Sequence, residues 1–136
     1  MLDCDLLFNV DTIQQMIITI EKDDRIGMVT PFTENILVKG HYFDTLALII
    51  NNQRYWPDCP FTTCSKCTLN KLKPNRLINV DSAFNGMCFM YTKYYNECNY
   101  YVNDGDKCEH DSFNAQYKQI SNKNIVIDPT IRLIMN

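Results

Sequence analysis

A helix followed at once by a buried strand is predicted within the first 30 residues, and this order constrains the fold more than any other feature. Between Asp11 and Lys22, apolar residues recur at the spacing of one helix face, and Asn9 or Asp11 can cap such a helix. Residues 25–30 then predict a short strand that ends at Pro31. This alternation favours an α/β fold, in which helices pack on a sheet.

The rest of the chain continues this pattern. Residues 42–50 predict a strand or a short helix, and residues 80–91 predict a second apolar segment. Asn85 and Gly86 interrupt this segment and predict either a turn or a close approach of the backbone to a ligand. A short helix is expected from Asp111 or Ser112 to about residue 118, followed by two strands at 125–129 and 131–134. Residues 54–74 contain three prolines and three cysteines and predict a long ordered loop. We therefore expect residues 1–136 to form one α/β domain, a mixed sheet with flanking helices and a long Cys-containing loop.

Composition and charge argue against several classes of function. The chain has 136 residues, of which 46% are hydrophobic, so it is long enough for one domain with its own core. A net charge of -3 gives no electrostatic reason to expect nucleic-acid binding. The longest apolar run, residues 46–50, is far shorter than the roughly 20 residues of a membrane-spanning helix. No signal peptide pattern is present, and we expect a cytoplasmic protein without a membrane span.

Seven cysteines are many for a chain of this kind, and their odd number argues against a complete disulfide framework. Cys59, Cys64 and Cys67 have a spacing that allows a structural Zn²⁺ site with a fourth ligand from elsewhere in the chain. The alternative is that these thiols are reduced and bind no metal. Only one C-x2-C half-site is present, which favours the second interpretation.

Two acidic segments carry the chemistry that the sequence suggests. Asp3 and Asp5 form a D-x-D pattern beside leucines, as expected where a buried strand delivers carboxylates to its end. Carboxylates suit Mg²⁺ or Mn²⁺, which typically bridge a diphosphate, although solvated acids near a chain end would look the same. His110, between Glu109 and Asp111, fits a metal ligand, a general acid or base, or a histidine at a helix start without a special role.

Trp56 is the only tryptophan of the chain and lies in the predicted long loop. Its ring is suited to pack against the apolar face of a sugar, and equally to anchor the loop on the core. Ser82 has no nearby histidine in the sequence and no flanking glycines, so serine hydrolase chemistry is not supported.

Four segments occur in a characteristic order, and together they cover essentially the whole chain. They are MLDCDLL at 1–7, HYFDTLA at 41–47, VDSAFNG at 80–86 and CEHDSFN at 108–114. This set resembles the glycosyltransferases of GT-A type found in large DNA viruses and in related microbial and fungal capsule-synthesis enzymes. The D-x-D pattern alone is weakly specific, whereas the ordered set is much more so.

The resemblance implies a viral-type transferase that moves a sugar from a nucleotide-sugar donor to a hydroxyl of a glycan or protein acceptor. Asp3, Asp5 and His110 are then expected to bind Mn²⁺ or Mg²⁺ near the donor diphosphate. Asn85, Gly86 and Trp56 are expected to contact the donor and acceptor. If the reaction inverts configuration, a carboxylate must deprotonate the acceptor hydroxyl, and the candidates, in order, are Glu109, Asp111 and Asp81.

In the GT-A fold a nucleotide-binding half precedes the D-x-D pattern, whereas here only Met1 and Leu2 precede it. The resemblance therefore implies a partial GT-A-like fold, the metal and acceptor side of the enzyme, either truncated or completed by a separate chain that supplies the nucleotide-binding half. We expect the isolated chain to bind a donor weakly. Two other interpretations stay open: a non-catalytic interaction module stabilised by zinc at the cysteine cluster, and an inactive transferase remnant.

Overall fold

A computed structural model of the chain describes residues 6–35, 38–42, 44, 47–54, 76–101 and 108–135. Three helices and eight strands lie in these ranges. The strands are β1 (Leu6–Leu7), β2 (Ile26–Asn35), β3 (Val38–Tyr42), β4 (Ile49–Ile50), β5 (Gln53–Arg54), β6 (Ile78–Val80), β7 (Phe89–Met90) and β8 (Asn124–Met135). The helices are α1 (Val10–Glu21), α2 (Thr92–Tyr95) and α3 (Glu109–Ser121). None of these helices is both long enough and apolar enough to cross a membrane.

Strands β2 and β8 lie side by side in parallel and form the centre of a six-stranded sheet. Their first halves are flanked by β7 and β6, and their second halves by β3 and β1, all in antiparallel pairing. The sheet is therefore mixed, with α1 and α3 packed against it. This confirms the prediction of an α/β protein with a mixed sheet and flanking helices. Strands β4 and β5 form a separate hairpin.

Strand β2 continues through Pro31, so the prediction that Pro31 ends it was wrong. The register between β2 and β8 shifts directly after Pro31, which pairs with Asp128, whereas Phe32 pairs with Arg132. Proline has no N–H group to donate and is tolerated at such an irregularity. The same shift explains why β8 is one strand and not the two strands predicted at 125–129 and 131–134. The side chain of Asp128 accepts hydrogen bonds at this point from the hydroxyl groups of Thr19 and Thr130, at 2.7 and 2.6 Å.

Helix α1 matches its prediction and packs on one face of the sheet. Asn9 caps it, because the side chain of Asn9 accepts a hydrogen bond from the backbone N–H of Thr12 at 2.9 Å. Its apolar side contributes Met16 and Ile20 to a core that includes Val29 of β2 and other residues of both central strands. Because neighbouring residues of a strand point to opposite faces, Met28 faces the other layer, under α3.

Helix α3 begins earlier and ends later than predicted. Cys108 is its cap residue, and Asp111, predicted as a cap, is the third residue of the helix and accepts a hydrogen bond from the backbone N–H of Cys108 at 3.5 Å. This is the capping-box arrangement, with cysteine in the position that serine or threonine usually takes. The helix ends at Ser121, followed by Asn122 in a left-handed conformation with φ 53°.

Residues 42–50 do not form the single strand or helix that was predicted. Strand β3 ends at Tyr42 and β4 begins at Ile49, while Ala47 and Leu48 between them are buried in the core under α3. The turn between β4 and β5 contains Asn51 and Asn52, both with positive φ, as a tight hairpin turn requires. Residues 55–75, which contain most of the predicted Cys-containing loop, lie outside the described residues.

Candidate functional site

Three of the four segments that carry the resemblance meet on the α3 side of the sheet. The carboxylate of Asp44, from the second segment, accepts a hydrogen bond from the backbone N–H of Asn85, in the third, at 3.1 Å. In turn, the ring of Phe84 stacks on that of His110, in the fourth segment, with centroids 4.2 Å apart and an interplanar angle of 18°. These contacts join residues far apart in sequence at one place.

The turn at Asn85 and Gly86 is fixed by its backbone conformation and by buried hydrogen bonds. Both residues have positive φ, 61° and 74°, which glycine adopts freely and asparagine tolerates. The side-chain amide of Asn85 donates to the carbonyl of Pro31 at 2.7 Å, and the hydroxyl of Thr33 donates to the carbonyl of Asn85 at 2.7 Å. The turn is therefore tied to the irregular middle of β2. The prediction of a turn here is confirmed.

One polar atom of this turn is buried without a hydrogen bond. The side-chain carbonyl oxygen of Asn85 has no partner among the described residues, although the side chain is completely buried. An unsatisfied buried acceptor costs about 1–3 kcal/mol, and groups of this kind are uncommon away from functional regions. The amide nitrogen is held by Pro31, so rotating the amide would not satisfy both atoms.

Glu109 and His110 form the first turn of α3, next to the Asn85 turn. The imidazole Nε2 of His110 lies 3.9 Å from a carboxylate oxygen of Glu109, whose side chain is 56% exposed. Phe84 covers one face of the imidazole, and the ring of Tyr100 approaches it edge-on at a centroid distance of 5.9 Å. These aromatic contacts orient the His110 ring and leave Glu109 accessible to solvent.

The start of α3 is held in place by two further groups of contacts. Arg54, at the end of the β4–β5 hairpin, forms an ion pair with Asp111, whose side chain is only 4% exposed. On the next turn of the helix, the amide of Asn114 donates to the hydroxyl of Ser82 at 2.9 Å and to the carbonyl of Ala83 at 3.1 Å. Burial and the nearby carboxylate of Asp111 raise the pKa of the Cys108 thiol to about 12.

Asp44 is a carboxylate near His110 whose pKa is raised. Burial raises its pKa, and the hydrogen bonds from the backbone N–H groups of Asn85 and Ala47 offset part of that effect. His110 lowers the pKa of Asp44 and Glu109 raises it, so all three groups interact electrostatically. Carboxylates beside an imidazole are groups that can transfer a proton.

Asp81, predicted as a third catalytic carboxylate, makes different contacts. Its side chain accepts a hydrogen bond from Lys118 at 2.7 Å and another from the backbone N–H of Asn52 at 2.8 Å. Burial opposes ionisation of Asp81, but these hydrogen bonds outweigh it and lower its pKa. Asp81 thus links α3 to the β4–β5 hairpin.

The structure brings together five of the predicted site residues, namely Asn85, Gly86, Glu109, His110 and Asp111. Asp81 is described but pairs with Lys118 instead. The remaining predicted groups lie outside the described residues: Asp3, Asp5, Trp56, Cys59, Cys64 and Cys67. Within the described ranges, no three His, Cys, Asp or Glu side chains are arranged to hold a metal ion.

The sequence predicted no role for Asp44, Arg54 or Asn114. A role for Asp44 could have been inferred, because it is the only charged residue in the apolar segment 42–50. Roles for Arg54 and Asn114 could not, since their partners are distant in sequence. Comparisons of the chain with protein-family models, curated proteins and solved structures gave no match.

Proposed function

We propose that this chain is the metal- and acceptor-side part of a nucleotide-sugar-dependent glycosyltransferase. The observation that supports this most directly is the meeting of the second, third and fourth segments through Asp44, Asn85, Phe84 and His110. Segments that share one active site must converge in space, and these three do. The first segment, with Asp3 and Asp5, lies mostly outside the described residues.

Among the three carboxylates considered as general base, Glu109 is the best suited. The carboxylate of Asp111 is buried against Arg54, and that of Asp81 is paired with Lys118. Glu109 is exposed and lies beside His110, where an acceptor hydroxyl can reach it. A base must be within hydrogen-bonding reach of the proton that it removes, which favours Glu109 on geometry alone.

His110 is the candidate metal ligand among the described residues. Phe84 and Tyr100 orient its ring, and an oriented imidazole together with carboxylates suits Mn²⁺ better than Mg²⁺. Asp3 and Asp5 would complete the set of ligands. A divalent cation at this place would stabilise the negative charge that develops on the departing nucleoside diphosphate.

The first test is an NMR titration of the ¹⁵N-labelled full chain with Mn²⁺ and either UDP or GDP. Mn²⁺ broadens signals of nearby nuclei, so we expect broadening at residues 109–111 and 85–86 that increases when nucleotide is added. His110→Phe keeps an aromatic ring on Phe84 but removes both nitrogens, and we expect it to weaken this binding at least about tenfold. Equal binding by wild type and His110→Phe would contradict the metal role.

Release of UDP or GDP from nucleotide sugars tests the role of Glu109. Glu109→Gln is expected to keep nucleotide binding but to lower turnover about 10²- to 10⁴-fold, because a general base contributes a factor of this size to the rate. Glu21→Gln is the matched control, because Glu21 is exposed at the end of α1 on the other face of the sheet. Equal turnover by wild type and Glu109→Gln would contradict the role of Glu109 as general base.

A further inference from the structure

A cavity of about 280 Å³ lies beside Tyr95, whose ring packs on Phe113 of α3, and none of the contacts described above uses it. Its lining residues come from β7, from α2 and from the residue before β7: Cys88, Phe89, Met90, Thr92 and Tyr95. The volume is at the lower end of the range for small-molecule pockets, which begins near 300 Å³. The cavity is therefore suited to a small ligand that consists of one or two rings.

The lining of the cavity indicates which chemistry it would accept. None of the five lining residues is an acid, a lysine, an arginine or a histidine, so a charged ligand would lose its hydration without gaining a partner. Thr92 and Tyr95 contribute hydroxyl groups, which can both donate and accept hydrogen bonds. Phe89 and Met90 contribute apolar surface. A neutral ligand with hydroxyl groups and an apolar face matches this lining, and a sugar ring has both.

Tyrosine rings connect the cavity to His110. The ring of Tyr95 packs on Phe113 with centroids 5.6 Å apart, and Tyr100 stacks on the same Phe113 at 4.4 Å. Tyr100 also approaches the ring of His110 at 5.9 Å. Burial raises the pKa of Tyr100, and the nearby Cys88 and Tyr95 raise it further. Tyr100 thus contacts the imidazole of His110 and shares Phe113 with Tyr95 of the cavity lining.

Both tyrosines also present aromatic surface to solvent. Tyr95 is 39% exposed and Tyr100 is 41% exposed, although each packs one part of its ring on the buried Phe113. Phe113 itself is almost completely buried in α3. Partly exposed aromatic rings beside hydroxyl groups are suited to bind a surface that is apolar on one side and polar at its edge.

We propose that this cavity, with Tyr100 at its border, is the subsite for a neutral sugar ring of the acceptor. The inference rests on the proposed function, since it gives the cavity the acceptor that a glycosyltransferase needs. Ring contacts through Phe113 and Tyr100 would connect a sugar bound beside Thr92 and Tyr95 to His110 at the start of α3.

The test is an NMR titration of the ¹⁵N-labelled full chain with methyl hexosides in the millimolar range, without nucleotide or metal. We expect shifts of the amides of residues 88–95. The double variant Thr92→Val/Tyr95→Phe removes both hydroxyl groups with little change of shape, and we expect it to weaken binding about 10- to 100-fold, from about 3- to 10-fold per hydrogen bond. Tyr101→Phe is the matched control, because Tyr101 is 46% exposed and does not line the cavity, and it should bind as wild type.

Three outcomes would overturn the inference: no shifts at residues 88–95 with any hexoside, equal affinity of the double variant and wild type, or binding of cyclohexanol as tight as that of the hexosides. The last would show that the cavity recognises apolar surface only. Circular dichroism spectra and melting curves verify that the variants are folded. Nucleotide binding at residues 109–111 without hexoside binding would refute this inference alone, whereas hexoside binding without any nucleotide binding would refute the proposed function and leave a sugar-binding site.

Discussion

The ion pair between Arg54 and Asp111 allows a sharp test of how the start of α3 is held. The Asp111 side chain is 4% exposed and that of Arg54 is 20% exposed, so most of the pair is removed from water. Replacing Arg54 with Met leaves a buried carboxylate without its cation. Breaking a buried pair in this way costs about 3–5 kcal/mol, and the partial exposure of Arg54 places the expected loss near the lower limit, about 3 kcal/mol. That is a large fraction of the roughly 5–15 kcal/mol by which domains are stable.

A double-mutant cycle separates this charge effect from loss of packing. Asp111→Asn keeps the shape and an oxygen for the capping box while removing the charge. Because Arg54→Met removes a cation from a buried charge, the double variant Arg54→Met/Asp111→Asn should be more stable than Arg54→Met by about 1 kcal/mol or more. The measurement is urea unfolding at pH 7, followed by circular dichroism.

The control for this cycle is Arg25→Met. Arg25 pairs with Asp23 at 2.6 Å in an exposed turn, and its loss should leave the free energy of unfolding almost unchanged. If Arg54→Met behaves like Arg25→Met, the Arg54 pair contributes no more than a surface pair does. If Asp111→Asn further destabilises Arg54→Met, an unpaired charge is not the cause of the loss.

Two further predictions concern the contacts that connect α3 to the sheet. The hydroxyl of Tyr117 donates to the carbonyl of Gly27 at 2.7 Å and accepts from the backbone N–H of Tyr91 at 3.2 Å. Because Tyr117→Phe leaves both of these groups unsatisfied, it should lower the free energy of unfolding by about 2–4 kcal/mol. A loss below about 1 kcal/mol in urea unfolding would contradict this prediction. The pKa of Asp81 is lowered from its ordinary 3.8 with the help of Lys118, so its contribution to stability is present above that value and is lost as the pH falls through the lower folded-state pKa. The free energy of unfolding should therefore decrease less in Lys118→Met than in wild type when the pH is lowered from neutral to below about 4. Acid unfolding curves measure this difference, and equal decreases in the two proteins would contradict the prediction.

The parts of the fold that the sequence predicted correctly are those with a local, repeating signal. The apolar stripe of α1 and its cap at Asn9 are both short-range features, and both are present. The failures have tertiary causes. Strand β2 continues through Pro31 because a register shift against β8 accommodates the proline, and no residue near Pro31 indicates that shift in the sequence. The start of α3 was placed too late because Cys108 is not a usual cap residue, although Asp111 three positions later completes the capping box.

In the candidate site, too, the local features could be predicted from the sequence and the tertiary contacts could not. The turn at Asn85 and Gly86 was predictable because that dipeptide suits two consecutive positive φ angles. The proximity of Asp44 was not, since it contacts Asn85 across 41 positions of the chain. What could be noticed in the sequence is that Asp44 is a lone charge in an apolar segment, which requires a buried partner that only the fold can provide.

Asp44 also shows why such a site depends on the stability of the rest of the domain. Its pKa is raised, so folding disfavours its ionised form, and at neutral pH the charged group makes the fold less stable than an uncharged one of the same shape would. The unsatisfied oxygen of Asn85 adds a second cost at the same place. Both groups lie beside the core under α3, where residues such as Phe113 and Tyr117 are almost completely buried and supply stabilising apolar contacts. Groups that destabilise a fold occur more often at functional sites than elsewhere, so Asp44 and Asn85 are candidates for a functional role where the three segments meet.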